Sequence, residues 1–482
     1  MGARVLPPRK APLRSKRTPR GSCGGAVGRV IQVIAEDAIQ TYHDLLTDEL
    51  AGESQAQLDD QLRRRGLFFG DRPLCTVLRP RFLAPEQYQS LRTQTQTIVQ
   101  AFTKAYEHAL ADEEFRGQFG LETWEEDLVR LTPGFRSPSP TARVDTFFES
   151  DGGHLWMTEY NAETPAAAAY NDVLTEVFLT LPIMREFLRH FTISPLPTRH
   201  HVLHALLDAY AQWDRSRVRP QIAILDWREV PTYSEFVLFA EYFASHGLAC
   251  RIADPRELEY RGGRLWAGDF AITLIYKRVL LSELVERGGM NHPVIQAVRD
   301  GAACLVNSFR CKILHKKASL AVLSDERNSA RFTASERQAI EAHVPWTRRV
   351  EERHTLFEGQ RIDLIPFVLS HRAQLVLKAN DAYGGKGIVL GWETTAAEWE
   401  HAVQHALSAP FVVQARVAVP RVPYPTVVDG TVQVIERLQD TNPYVFYGDY
   451  VDGCLTRLST AALVNVTAGG GSTVPTVIVD RR

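Results

Sequence analysis

The sequence lacks most of the features by which a chain announces a compartment or a polymeric partner. No apolar run is long enough to span a bilayer, and the N-terminus has no apolar segment of the secretory type, so the cytoplasm is the expected compartment and no membrane partner is expected. Cysteine is sparse: Cys23, Cys75, Cys250, Cys304, Cys311 and Cys454 are scattered without CxxC spacing, which argues against a zinc knuckle and a disulfide framework and predicts reduced thiols. Charge of one sign is missing too. A net charge of -2 gives no field that would gather nucleic acid, so none is expected as a partner.

What is present suits a small-molecule enzyme of mixed α/β class. At 482 residues the chain exceeds a single small core, and two to four subdomains are expected. Residues 375–391, LVLKANDAYGGKGIVLG, place glycines and lysines between two β-type apolar runs. Unobstructed backbone amides can approach phosphate oxygens while lysines neutralise them, although Gly-Gly between alternating runs is also an ordinary hairpin signal. The stretch has neither the Walker spacing nor the dinucleotide fingerprint.

Residues 1–28 carry Arg4, Arg9, Lys10, Arg14, Lys16, Arg17 and Arg20 with no acid, and read as a disordered basic tail; a nucleic-acid or membrane arm is the sharper alternative. Residues 29–135 read as a helical layer. Ile31, Ile34, Ala38, Tyr42 and Leu45 share one face, and a second periodic run follows Pro85. In residues 220–278 the pattern is strand, helix ended by Gly247, strand, hairpin and a further strand over AITLIYKR, which implies a parallel crossover. Asp226 and Trp227 end its first strand where a dinucleotide fold needs glycines. Strands are expected over PFVVQARVAVP, VQVIERL, YVFYGDYV and CLTRLSTAALVNV.

Chemistry concentrates in RVDTFFESDGGHLWMTEYNAETPAAAAYNDVL. Two strands joined at Asp-Gly-Gly, if paired, bring Arg143, Asp145, Glu159 and Asn161 to one face. Such carboxylate and amide oxygens suit Mg²⁺. Thr164 followed by Pro165 predicts a helix start. His200, His201 and His204 share a helical face, but without an interleaved carboxylate they read as a surface helix start rather than a metal site. Lys316 and Lys317 open an amphipathic helix, where paired lysines ordinarily form a solvated face.

In this order the pieces resemble the circularly permuted ATP-grasp enzymes: glutathionylspermidine synthetase-like proteins, eukaryotic glutathione synthetase and bacterial type 2 permuted proteins. Glu159-Tyr160-Asn161 precedes the glycine loop, as a permutation requires. The resemblance implies a Rossmann-like pre-ATP-grasp domain over residues 196–305, with residues 136–195 and 306–482 building the ATP-grasp core. It implies ATP and Mg²⁺ as cofactors, the metal on Asp145, Glu159 and Asn161. ATP contacts would come from Lys317, with Lys316 one register away, Lys378, Tyr383, Gly384, Gly385, Lys386, the hinge residues Gln414 and Val417, and residues 469–471 as a lid. Arg143 and Arg457 would be the catalytic arginines that hold the acyl substrate, and Thr164 would contact substrate. Where some relatives carry a metal-binding glutamate in the glycine loop, the nearest acid here is Asp381, displaced toward its start.

The implied reaction is ADP-forming ligation of a carboxylate to an amine through an acyl phosphate, with small-molecule acid and amine substrates of amino acid, peptide or polyamine type. A non-catalytic ATP-binding scaffold and a phosphotransferase of the same fold remain alternatives.

Overall fold

The computed structural model describes residues 25–150, 153–216, 218–461 and 471–482. Most of the basic tail and residues 469–470 of the expected lid therefore lie outside the described residues. Helix Gly25–Leu45 begins within the stretch read as tail, and no helix among the described residues is long and apolar enough to cross a membrane.

Strands Thr141–Glu149 and His154–Asn161 pair antiparallel and join a nine-stranded sheet whose other strands come mostly from the C-terminal region. Strand Asn442–Phe446 lies beside Thr141–Glu149, so residues about three hundred positions apart share one ladder. Strand Ser472–Arg481 ties this sheet to Arg81–Leu83 and Phe191–Pro195. The 27-residue helix Pro85–Ala111 buries Leu91, Ile98, Phe102 and Tyr106 in the core that includes Val144, Met157 and Val445. That is the packing role its periodicity predicts.

The middle of the chain forms a parallel sheet in the order Cys304–Val306, Leu274–Lys277, Gln221–Leu225, Ala249–Ala253. Both faces are covered, as parallel sheets require: Ile222, Ile224 and Tyr276 pack on Phe236, Phe239 and Phe243, while Ala223, Leu225 and Ile275 face Leu281, Leu284 and Val294. Helix Tyr233–Ser245 supplies the crossover and stops before Gly247, whose φ is +70°. The single strand expected over AITLIYKR is two: Phe270–Ile272 closes an antiparallel hairpin and Leu274–Lys277 enters the parallel sheet.

A third unit is the antiparallel sheet Thr347–Arg349, Phe411–Ala415, Leu375–Ala379, Ile388–Leu390. It is backed by helices Leu364–Ser370 and Ala396–Ser408 through Trp399, Val403 and Leu377. Thr395 and Glu398 form a reciprocal cap at the start of the second helix. The strand read over PFVVQARVAVP ends at Ala415, because the Arg416 N–H turns to the Gln374 carbonyl. YVFYGDYV is likewise two strands, broken at Tyr447 and Gly448, both with positive φ.

The helix expected from Thr164 starts instead at Ala168, after Ala167 in left-handed conformation. The carbonyls of Pro165 and Ala166 explain the delay: Arg278 donates to the first, and Arg143 and Tyr444 donate to the second. These outside donors hold both carbonyls in the loop that precedes the helix.

Candidate active site

A cavity of about 1300 Å³ opens where the three sheets meet. Its lining includes Arg143, Asp145, Glu159, Asn161, Thr164, Lys378, Tyr383, Gly384, Gly385, Lys386, Gln414, Val417 and Arg457. Lys317 does not line it but reaches it through Glu159.

The hairpin register fixes the acidic face. Asp145 lies opposite Glu159 and Arg143 opposite Asn161, so all four side chains project to one side. Arg143 Nε donates to Asp145 Oδ1 at 2.8 Å and Arg457 Nη2 to Asp145 Oδ2 at 2.7 Å. Burial opposes ionisation of Asp145, but these two guanidiniums outweigh it and hold the carboxyl below the usual carboxylate range. Arg457 is shared with Asp440, its Nε 2.7 Å from Asp440 Oδ2. Burial raises the Asp440 carboxyl in spite of that partner.

Glu159 faces the lysines. Its Oε1 is 3.1 Å from Lys317 Nζ, and Lys317 also donates to the Ala382 carbonyl at the start of the glycine loop. Burial works against the Glu159 anion, and Lys317, Lys378 and His315 together lower its pKa. Lys378 donates to the Thr158 carbonyl at 3.1 Å and to Gln414 Oε1 at 2.7 Å. Burial pushes its ammonium down to about 8, with Lys317 adding to the effect and Glu159 opposing it. The Gln414 side chain thereby bridges Lys378 and Thr347, to which its Nε2 donates at 3.0 Å. Asn161 Nδ2 is buried in the cavity wall without a partner among the described residues.

Lys316 turns the other way, to Glu125 at 2.7 Å and Asp381 at 3.3 Å. Between the two adjacent lysines, Lys317 alone pairs with the hairpin.

The glycine loop folds back tightly, with Gly384, Gly385 and Gly387 all at positive φ and the Ala379 N–H donating to the Gly387 carbonyl at 2.9 Å. A Cβ on Gly387 would lie 2.6 Å from Ala379 Cβ, so only glycine closes this turn. Lys386 sits over the Tyr383 ring, and the Tyr383 hydroxyl donates to Glu283 at 2.8 Å.

The donor set fits a hard divalent ion: two carboxylates and one amide oxygen lie on a single face, and the orphaned Asn161 Nδ2 leaves that side chain free to turn its oxygen inward. Asp145, already held by two arginines, is the most committed of the three.

A second charge cluster was not foreseen. Lys312, fully buried, sits 2.6 and 2.7 Å from the two Asp381 oxygens, 3.2 Å from Glu163 and 3.3 Å from Glu125; Lys277 is 3.3 Å from Glu163. Asp381 is thus turned away from the hairpin face and anchors the start of the glycine loop. Glu163, His315 and Asp381 could by spacing hold a cation, but Lys312 occupies that position. Sequence spacing carries no signal for these pairs, which join positions 149 and 69 residues apart.

The histidines of helix Arg199–Trp213 lie elsewhere, with His201 Nε2 3.2 Å from Asp452. The five described cysteines are free, and Cys23 lies outside the described residues.

No protein-family model and no curated protein matches the chain. Among solved structures the fold is similar to that of a glutathione synthetase-like effector (GSS30) from Globodera pallida, in its apo form. The TM-score is 0.57 at 11% sequence identity, over 89% of this chain and 97% of that one. The protein therefore has a mixed α/β fold of the glutathione synthetase-like kind.

Proposed function

We propose that this protein is an ATP- and Mg²⁺-dependent carboxylate–amine ligase with a circularly permuted ATP-grasp core. One observation carries the reading. The acidic hairpin face and the glycine loop, far apart in sequence, line one cavity; the Lys317 ammonium joins Glu159 to the Ala382 carbonyl of the loop, and the Lys378 ammonium joins the Thr158 carbonyl of the hairpin to Gln414. Such an arrangement suits a triphosphate: lysines and loop amides offset phosphate charge, and oxygen donors face them.

A carboxylate is inert toward amines because its leaving group would be oxide, and phosphorylation by ATP supplies a better one. In this reading Asp145, Glu159 and Asn161 would hold Mg²⁺, which supplies charge neutralisation at the phosphates. Lys378 faces the phosphates, Lys317 offsets their charge from behind Glu159, and the 383–387 loop excludes water from the reacting centre. Arg143 and Arg457 orient the acid and stabilise the oxyanion formed when the amine attacks. Positioning and charge are the protein's whole contribution, and no covalent nucleophile on the chain is required.

The test is ADP release with pooled carboxylic acids and amines. The expected result is turnover that requires ATP, Mg²⁺, an acid and an amine together, abolished by Lys378→Ala in a protein that still unfolds cooperatively. ADP release that needs no amine would favour a phosphotransferase. ATP binding without any turnover would favour a scaffold.

A further inference from the structure

The cavity extends beyond the residues used above, to a wall built by the parallel sheet. Its chain order places Gln221–Leu225 centrally, with Ala249–Ala253 on one side and Leu274–Lys277 on the other. Gln221–Leu225 leads to Ala249–Ala253 on one side and Leu274–Lys277 leads to Cys304–Val306 on the other, so a crevice opens at the carboxyl ends of Gln221–Leu225 and Leu274–Lys277. Asp226 and Arg278 are the residues that follow those two strands, and both line the cavity.

Asp226 is only 7% exposed, yet among the described residues it forms no ion pair; Arg278 and Lys277 act on it only at longer range. Among the described residues its carboxylate accepts one hydrogen bond, from the adjacent Trp227 N–H at 2.8 Å. Arg278 is committed elsewhere, to the Pro165 carbonyl, the Tyr276 hydroxyl and Glu235. The Trp227 indole N–H donates to Glu283 at 2.8 Å, which brings a second carboxylate to the same wall. The other oxygen of Glu283 accepts from Tyr383 of the glycine loop at 2.8 Å. Arg287 stacks on Trp227 and pairs with Glu229. Burial raises the Asp226 carboxyl to about 7, a backbone hydrogen bond and Arg278 opposing the rise and Glu283 adding to it.

A buried carboxylate that the fold leaves unpaired, facing a cavity beside a second acid, is completed by a cation from outside. We propose that Asp226 and Glu283 form a subsite for an alkylammonium group of the substrate, on the wall the parallel sheet contributes. This rests on the ligase reading for the rest of the cavity. Arg278 and Arg143 donate to the consecutive carbonyls of Pro165 and Ala166, so the subsite and the arginine clamp are joined by two residues of one loop. The ammonium is a non-reacting group, carried by the amine substrate or by the acid substrate. Its contact with Glu283 places it beside Tyr383, so occupancy of the subsite reports to the loop over the phosphates.

The test compares charged and uncharged probes of matched length on the full chain by calorimetry, with and without Mg²⁺ and a non-hydrolysable ATP analogue. Butane-1,4-diamine is set against butane-1,4-diol, and L-glutamate against glutarate. In at least one pair the ammonium-bearing member should bind about tenfold tighter, as expected for a charged hydrogen bond. Asp226→Asn should reduce that preference to less than about twofold, with nucleotide affinity retained, and Glu283→Gln should lower it in part. The pair that shows the preference identifies which substrate carries the cation. Equal binding within both pairs, or a preference kept by both variants, overturns the proposal. Failure of the nucleotide analogue to bind, with the preference and its loss in Asp226→Asn intact, would sink the ligase reading and leave the subsite standing.

Discussion

Two sets of desolvated carboxylates, one behind the glycine loop and one on the cavity wall, answer burial in opposite ways. Glu163 and Asp381 are held below the ordinary carboxylate range, because Lys312 lies within 3.2 Å of both and Lys277, Lys316 and His315 add to it. Asp226 is 7% exposed and is raised to about 7 by burial, because among the described residues it has no ion-pair partner and the Trp227 N–H, with Arg278 and Lys277 acting from beyond ion-pair distance, does not offset the desolvation. Desolvation is the largest influence in each case; what differs is whether the fold itself supplies the opposite charge. The paired set anchors the glycine loop to the rest of the molecule. The unpaired acid is left for a ligand.

The largest effect that would break this contrast is removal of the central cation. Lys312→Met would leave Glu163, Asp381 and Glu125 buried without their shared partner, and should cost about 3–5 kcal/mol in chemical unfolding. A loss below about 1 kcal/mol would mean the cluster is not held as described.

Asp226→Asn should do the reverse. The folded pKa is about 7 against 3.8 for the ordinary group, so between those values the unfolded chain releases a proton that the folded chain keeps, and stability falls as pH rises through that window. The variant escapes this loss. It should match the parent near pH 4, gain relative stability as pH approaches 7, and hold a constant advantage above, of no more than about 4 kcal/mol. A flat difference across that range in unfolding titrations would show that Asp226 is already compensated. Stability gained with cation preference lost is the expected signature of a residue kept for binding.

Local pattern made much of this readable beforehand. Alternation in residues 141–161 placed Arg143, Asp145, Glu159 and Asn161 on one face, and the observed register does so. The strand–helix–strand pattern after Pro220 gave the parallel crossover, because hydrophobic period and the Gly247 stop are local properties. What sequence could not supply was partnership at long range. Lys312 has no spacing relation to Asp381 or Glu163, and its neighbours Lys316 and Lys317, adjacent in sequence, face different acids. The helix after Thr164 shows the same limit, since carbonyls captured by Arg143, Arg278 and Tyr444 overrode a favourable cap and proline. Asp440 escaped notice because its partner Arg457 is seventeen residues away on a neighbouring strand.

The account's central claim is that the hairpin face and the glycine loop together hold a metal–triphosphate. Calorimetric titration of ATP at increasing Mg²⁺, on the parent and on Glu159→Gln, tests it most directly. The parent should bind ATP in a Mg²⁺-dependent way, and the variant should need at least about tenfold more Mg²⁺ for the same affinity. A folded parent that binds no ATP at any Mg²⁺ concentration, or a Glu159→Gln variant with an unaltered Mg²⁺ requirement, would contradict it.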